Sequence, residues 1–371
     1  MTVNDSMNIL STPSRVSLLT AIGLFCSFGI SLPAADQETI TLPPHTFILP
    51  KGYALKPVAA PPLVQRPIHM YFDNRGALYV TDSSGDSHPV NRMKKSGGSG
   101  EYLPWEFPLA FWMEQQGYDV SYISNIDTHA DPKGLLRTKG FISVGHDEYW
   151  TKDMYKNVLQ ARDQGVNLAF FGGNSVLCVV PLLPSENGAP NRSARREGWF
   201  MPVPDEIPEA VKRRLLNRRD FELNMGPDGA QLMGGRLDKD QETGRGMGSG
   251  DWTCAMPEHW LFEGTGMKKG ESIKGLLGWE WHGAPAMDLP GMNVVAKGDA
   301  TINGKTVGQY SATLYDGPKD NVVFNAATIW WANGLSSPPR HVNPSRHGVG
   351  QQGPDKRVQR ITRNLFQRMI S

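Results

Sequence analysis

The sequence predicts an α/β domain in which a parallel sheet carries flanking helices, with loop-rich β additions in the C-terminal half. Three observations carry that expectation. From Glu101 onward, apolar segments alternate between helical and strand-like spacing, with short links between them. Glycines stand where the helical patterns end, at Gly117 and Gly165. Beyond Cys178 the alternation fades into short strands and loops, in a chain whose 371 residues include 40 glycines and 28 prolines.

Taken in order, Trp105 to Gln116 has apolar residues at helical spacing and stops at Gly117. Val120 to Ile123 reads as a short strand, and Asp131-Pro132 as a helix start. Phe141 to Val144 is the second strand. Thr151 is placed to cap a helix that runs to Asp163, and Val166 to Phe171 is the third strand. In parallel sheets, ligands gather at the carboxyl ends of the strands. Gly145-His146-Asp147-Glu148-Tyr149 and Gly172-Gly173-Asn174-Ser175 both fall there. Further on, Thr313 to Leu314 and Val322 to Phe324 read as short strands. An amphipathic helix from near Asp355 places Val358, Ile361, Leu365 and Met369 on one face.

The region before this domain has a different character. Residues 1–35 read as a signal peptide: Arg15, an apolar run from Val16 to Ile30, then Ala34 and Ala35 before the polar Asp36. The expected destination is periplasmic or extracellular, with no integral membrane role once the signal is removed. Residues 36–100 form a proline-punctuated segment. There, Ile68 to Val80 reads as two strands around an Asp73-Asn74-Arg75-Gly76 turn. Near residues 48–85 this piece resembles a blade edge of secreted β-propeller dehydrogenase-like proteins. Lys94 to Gly100 reads as a linker, and 101–371 as the main domain.

Lys and Arg number 38 against 37 Asp and Glu, a net charge of +1. That balance gives no sign of nucleic acid or an anionic membrane surface as a partner. Cys178 and Cys254 would be free to pair in an oxidising compartment, and no Cys-x-x-Cys spacing suggests thiolate zinc.

His146 and Glu148 stand two apart just past a strand, where an imidazole and a carboxylate serve acid–base work or metal ligation. The same spacing suits a cluster that merely braces a loop. Gly172-Gly173-Asn174 offers backbone amides beside them, or a plain tight turn. Trp279-Glu280-Trp281-His282 sets a carboxylate between two indoles, where apolar surroundings disfavour its charged form. Glu258-His259-Trp260 repeats the theme less strongly. No phosphate-binding, dinucleotide, serine-hydrolase or His-Glu-x-x-His motif occurs.

These segments together resemble the C-terminal domain of the N,N-dimethylformamidase large (beta) subunit family. The resemblance rests on Trp105-Glu106-Phe107-Pro108, Gly117-Tyr118-Asp119-Val120, Ser143 to Trp150, Ala161 to Asn174 and Gly278-Trp279-Glu280-Trp281. It implies a glutamine-amidotransferase-like fold and an iron held by two tyrosinates and a glutamate, acting through activated water on the C–N bond of a small-molecule amide substrate. On that reading Glu148 ligates the metal, while His146 and Glu280 are catalytic. Asn91-Arg92-Met93 stands where the family shows an Arg-Pro-Tyr-like segment, which makes Tyr102 the nearest tyrosine for a ligand, with Tyr71 and Tyr79 further back. Three readings are open at this point: an iron-dependent amide hydrolase, monomeric or oligomeric; a catalytically impaired relative that binds a ligand or partner; and a zinc enzyme using His146 and Glu148 with His259 or His282.

Overall fold

The computed structural model describes residues 37–42, 45–52, 54–55, 67–72, 78–82, 102–185, 188–201, 224–237, 248–278, 280–283, 285, 287–339, 341 and 353–371. The expected signal peptide, the Lys94 to Gly100 linker, the Asn91-Arg92-Met93 segment and Trp279 lie outside the described residues. The chain divides into two compact units, residues 1–82 and 83–371. The first contains two antiparallel hairpins, β1 (Gln37–Leu42) with β2 (His45–Pro50), and β3 (Pro67–Phe72) with β4 (Leu78–Asp82).

The second unit opens on a π-helical turn, Tyr102–Glu106, that leads into α1 (Phe107–Gln115). Gly117, with φ 76°, ends this helix: its N–H donates to Glu114 O at 3.1 Å and the Tyr118 N–H donates to Met113 O at 3.1 Å. This paired arrangement satisfies the last orphan carbonyls. The segment Val120 to Ile123, expected as a strand, pairs with none among the described residues, and Tyr122 and Ile123 are exposed. Ser124 and Asp127 cap each other around the start of α2 (Asn125–Ala130). After Asp131-Pro132 only a single 3₁₀ turn forms, Leu135–Arg137, so the helix expected there lies one step earlier.

β5 (Gly140–Gly145), the two-residue β6 (Tyr149–Trp150), α3 (Lys152–Asp163) and β7 (Asn167–Gly172) follow. Thr151 caps α3 by accepting from the Met154 N–H at 2.9 Å. Gly165, at φ 103°, closes it with the same paired bonds seen after α1. Next come β8 (Cys178–Val179), β9 (Leu182–Leu183), β10 (Ser193–Ala194), β11 (Gly198–Trp199) and the short α4 (Ala230–Met233). Then follow β12 (Gly250–Thr253), β13 (Ser272–Leu277), β14 (Asn293–Ile302), β15 (Lys305–Asp316), β16 (Val322–Asn325) and α5 (Lys356–Ile370).

The fold class read from the sequence is overturned. Instead of a parallel sheet flanked by helices in a glutamine-amidotransferase-like arrangement, the chain builds several small mixed or antiparallel sheets with five α-helices among the described residues. The largest sheet is mixed, in the order β14-β15-β16-β7-β5. β5, β7 and β16 run parallel, whereas β14, β15 and β16 form an antiparallel meander. The local strand–helix–strand reading around β5, α3 and β7 describes one crossover and does not extend to the rest, because long hairpins replace further crossovers.

Side chains alternate across the central sheet, as a pleated strand requires. On β7, Ala169 and Phe171 enter one apolar cluster with Trp252, Trp281, Trp330, Trp331 and the inner face of α5. Leu168 and Phe170 enter the other, with Trp150 and the Met154, Tyr155 and Val158 face of α3. Val358, Ile361, Leu365 and Met369 are all buried, so α5 packs on the core along the stripe its sequence marks. No described helix is long and apolar enough to cross a membrane.

Candidate metal centre

β5 and β7 end side by side, with Gly145 paired to Gly172. Gly145 has φ 72°, and a Cβ there would lie 2.6 Å from Trp105 Cβ, so glycine is required both for the turn and for the close approach of the Trp105 segment. The next three residues divide by side. Asp147 turns inward as a brace: Ser143 Oγ donates to Oδ2 at 2.7 Å and Asn125 Nδ2 donates to Oδ1 at 3.2 Å. Its carbonyl accepts from the Val176 N–H, and that of Glu148 from the Leu177 and Cys178 N–H groups. Pinned in this way, His146 and Glu148 share the other side.

Glu280 reaches them from a distant part of the chain. Gly173 packs on its main chain so closely that a Cβ would stand 2.2 Å from the Glu280 carbonyl carbon and oxygen. The Ile329 N–H donates to Glu280 O at 3.2 Å, and Trp281 bridges to Thr328. His146 Nε2 then stands 3.0 Å from Glu148 Oε2 and 3.4 Å from Glu280 Oε1, with all three side chains largely buried. One ligand atom from each residue lies within 4.8 Å of the others.

Burial opposes a charge on His146, but Glu280 and Glu148 outweigh it and hold the ring well above the ordinary histidine range. Burial also pushes Glu148 up. The hydrogen bond and charge of His146, the charge of Arg196 and the Cys178 thiol prevail, and hold it below its ordinary value. The proton of this pair therefore resides on the imidazole.

A nitrogen and two carboxylates facing one point form a donor set for a hard or borderline cation. His146, Glu148 and Glu280 thus fit a metal. The tyrosinate half of the ligand set implied by the resemblance has no such support. Tyr102, half-buried in the π turn, packs at a tilt against Phe107 with ring centroids 5.9 Å apart, and burial followed by Glu106 and Glu114 raises its phenol. The side chains of Tyr71 and Tyr79 lie outside the described residues.

His282 and His259 are occupied elsewhere. The Ser175 N–H donates to His282 Nε2 at 3.1 Å, so Nδ1 carries the hydrogen and donates to Asn325 Oδ1 at 2.8 Å. Burial pushes this histidine down to about 4. It is a neutral strut between the turn after β7 and the end of β16. His259 Nδ1 accepts from the Leu261 N–H at 3.2 Å and caps a 3₁₀ turn. Trp281, read as a wall beside Glu280, belongs to the core, where its ring abuts Gly308.

Two neighbours went unnoticed as site residues in the sequence. Cys178 and Cys254 are both free and buried, and the Cys178 thiol lies 3.6 Å from Glu148 Oε1. Arg196 Nη2 stands 3.7 Å from the same oxygen and donates to Tyr149 Oη at 2.9 Å. Neither carries a motif; only the pairing of β8 with β6 and β11 brings them here.

Against known proteins, the sequence model described as N,N-dimethylformamidase beta subunit-like, C-terminal, matches residues 58–346, more than half of the chain. No curated protein matches it.

Proposed function

The chain belongs to the N,N-dimethylformamidase beta subunit-like C-terminal family, and from that premise we propose that it hydrolyses the C–N bond of a small-molecule amide at a metal centre formed by His146, Glu148 and Glu280. The observation that carries this reading is the convergence of those three side chains, from two distant segments, on one buried point.

A metal bound there would act as a Lewis acid, polarising the amide carbonyl and lowering the pKa of water. The residues supply the rest. Glu148 is the ligand most firmly set, because both flanking peptide groups are hydrogen-bonded to the segment after β7. His146 Nε2 must release its proton before the ring can donate its lone pair to a cation. Glu280 is placed to accept a proton at a carboxylate oxygen and return it to the leaving amine nitrogen. Gly173 and the Ile329 N–H fix its main chain while it does so.

Iron is the metal the family resemblance suggests. The imidazole–dicarboxylate set suits iron, and zinc as well. A colour measurement separates two ligand sets, because ferric tyrosinate absorbs visible light and the three-residue centre does not. Arg15 with the apolar run to Ile30 supports the further proposal that the reaction runs outside the cytoplasm.

Metal analysis together with amine release from small amides tests the proposal. About one metal ion per chain is expected in wild type. In Glu148→Gln, affinity should fall by more than the roughly 10–100-fold that loss of a supporting group costs. Glu280→Gln should reduce amine release at least about 100-fold, the lower range for losing an acid–base group. Wild-type protein that takes up no stoichiometric metal would overturn the reading.

A further inference from the structure

Arg195 and Arg196 are consecutive, and their side chains meet different partners. Arg195 is neutralised by Glu197, whose other oxygen accepts from Asn224 Nδ2 at 3.0 Å. Arg196 faces the centre. Its guanidinium lies over the Tyr149 ring, 5.2 Å from the centroid, and one N–H bonds the Tyr149 hydroxyl. Stacking and that bond together fix the plane of a side chain that would otherwise sample many rotamers.

Held in this way, Arg196 spends little of its binding capacity. Its side chain is 41% exposed, and its one carboxylate neighbour among the described residues, Glu148, is 3.7 Å away, too far for a hydrogen bond. Among the described residues no other acceptor takes its remaining N–H groups. The Tyr149 O–H, which accepts from Arg196, is also without a described acceptor of its own. The pair therefore presents charged N–H donors and a neutral O–H donor to the solvent side of the centre. Once Glu148 is committed to a metal, no other carboxylate among the described residues stands beside Arg196.

We propose that Arg196, with the Tyr149 hydroxyl, forms a subsite for a carboxylate carried by the substrate, so that the amides cleaved are anionic ones with a carboxylate a few bonds from the scissile C–N bond. Planar guanidinium donors match a carboxylate in geometry and charge. A neutral amide of the same size leaves those donors to water. This inference deepens the amide-hydrolase reading and rests on it for the identity of the scissile bond, but not for the anion preference itself.

N-acetylglycine and its neutral isostere N-acetylglycinamide are the probes. Binding to the metal-loaded full chain is measured by calorimetry, and turnover by acetate release, in wild type, Arg196→Gln, Arg196→Lys and Tyr149→Phe. Wild type is expected to favour the anion at least about tenfold in affinity and in kcat/KM. That ratio should collapse toward one in Arg196→Gln, survive in part in Arg196→Lys, and drop by less in Tyr149→Phe. A ratio is unaffected by partial loss of folded protein. No preference in wild type, or a preference that persists in Arg196→Gln, overturns the subsite. If neither amide is cleaved, the hydrolase reading fails on these substrates, while the affinity ratio still decides the subsite.

Discussion

At the scale of single residues, the centre depends on positions that lack side chains as much as on those that have them. Gly173 is the sharpest case, because any Cβ would meet the main chain of Glu280 and not a flexible side chain. Gly173→Ala is expected to cost about 2 kcal/mol or more through overpacking. That should lower Tm by about 5 °C and displace Glu280. Calorimetry and amine release should therefore fall together, and a variant of wild-type stability and activity would refute the clamp. His146, Glu148 and Glu280 were all legible as polar residues in suggestive places. Their convergence was not, because nothing in a one-dimensional pattern sets Glu280 beside a loop more than 130 residues earlier. His282 shows the converse. It stands in the same motif as Glu280, yet one ring nitrogen serves the Ser175 N–H in the turn after β7 and the other the Asn325 side chain at the end of β16.

At the scale of elements, the helices were the better read. Thr151, Gly117 and Gly165 act where the capping rules place them, since caps depend on local backbone chemistry. α5 offers a direct check. The Asp355 carboxylate accepts from the Arg357 N–H at 2.7 Å and pairs with its guanidinium. Asp355→Ala is expected to cost about 1 kcal/mol, seen as a fall in Tm of about 2–4 °C. Burial raises Asp355, but the bonds to Arg357 outweigh it and hold the carboxyl below its ordinary value. Its contribution is therefore present above pH ~3.9 and is lost as pH falls through the lower folded value. The gap between wild type and Asp355→Ala in acid melts should close over that interval; a gap independent of pH would show that the cap charge is idle. Strands fared worse. β14 and β15 span 10 and 12 residues, yet exposed polar positions such as Lys297 and Gln309, with Gly298 and Gly308, hide their apolar alternation.

At the scale of the whole molecule, the sequence suggested more parallel order than exists, because one genuine crossover between β5 and β7 was extended to strands that form hairpins instead. Both apolar clusters are built within residues 105–369. A chain beginning at Ser83 is accordingly expected to fold on its own, with one cooperative melt and the same metal stoichiometry as the full chain. Loss of metal on that truncation would refute the assignment of the centre to residues of the second unit alone. The dispersal of the three side chains that could hold a metal also bears on time. His146 and Glu148 arrive together during synthesis, but Glu280 joins them only after the chain beyond β13 has docked, a contact of long sequence separation that forms slowly. On the proposed reading, a nascent or half-folded chain would offer a cation only a weak two-point hold, so tight capture would mark the end of folding.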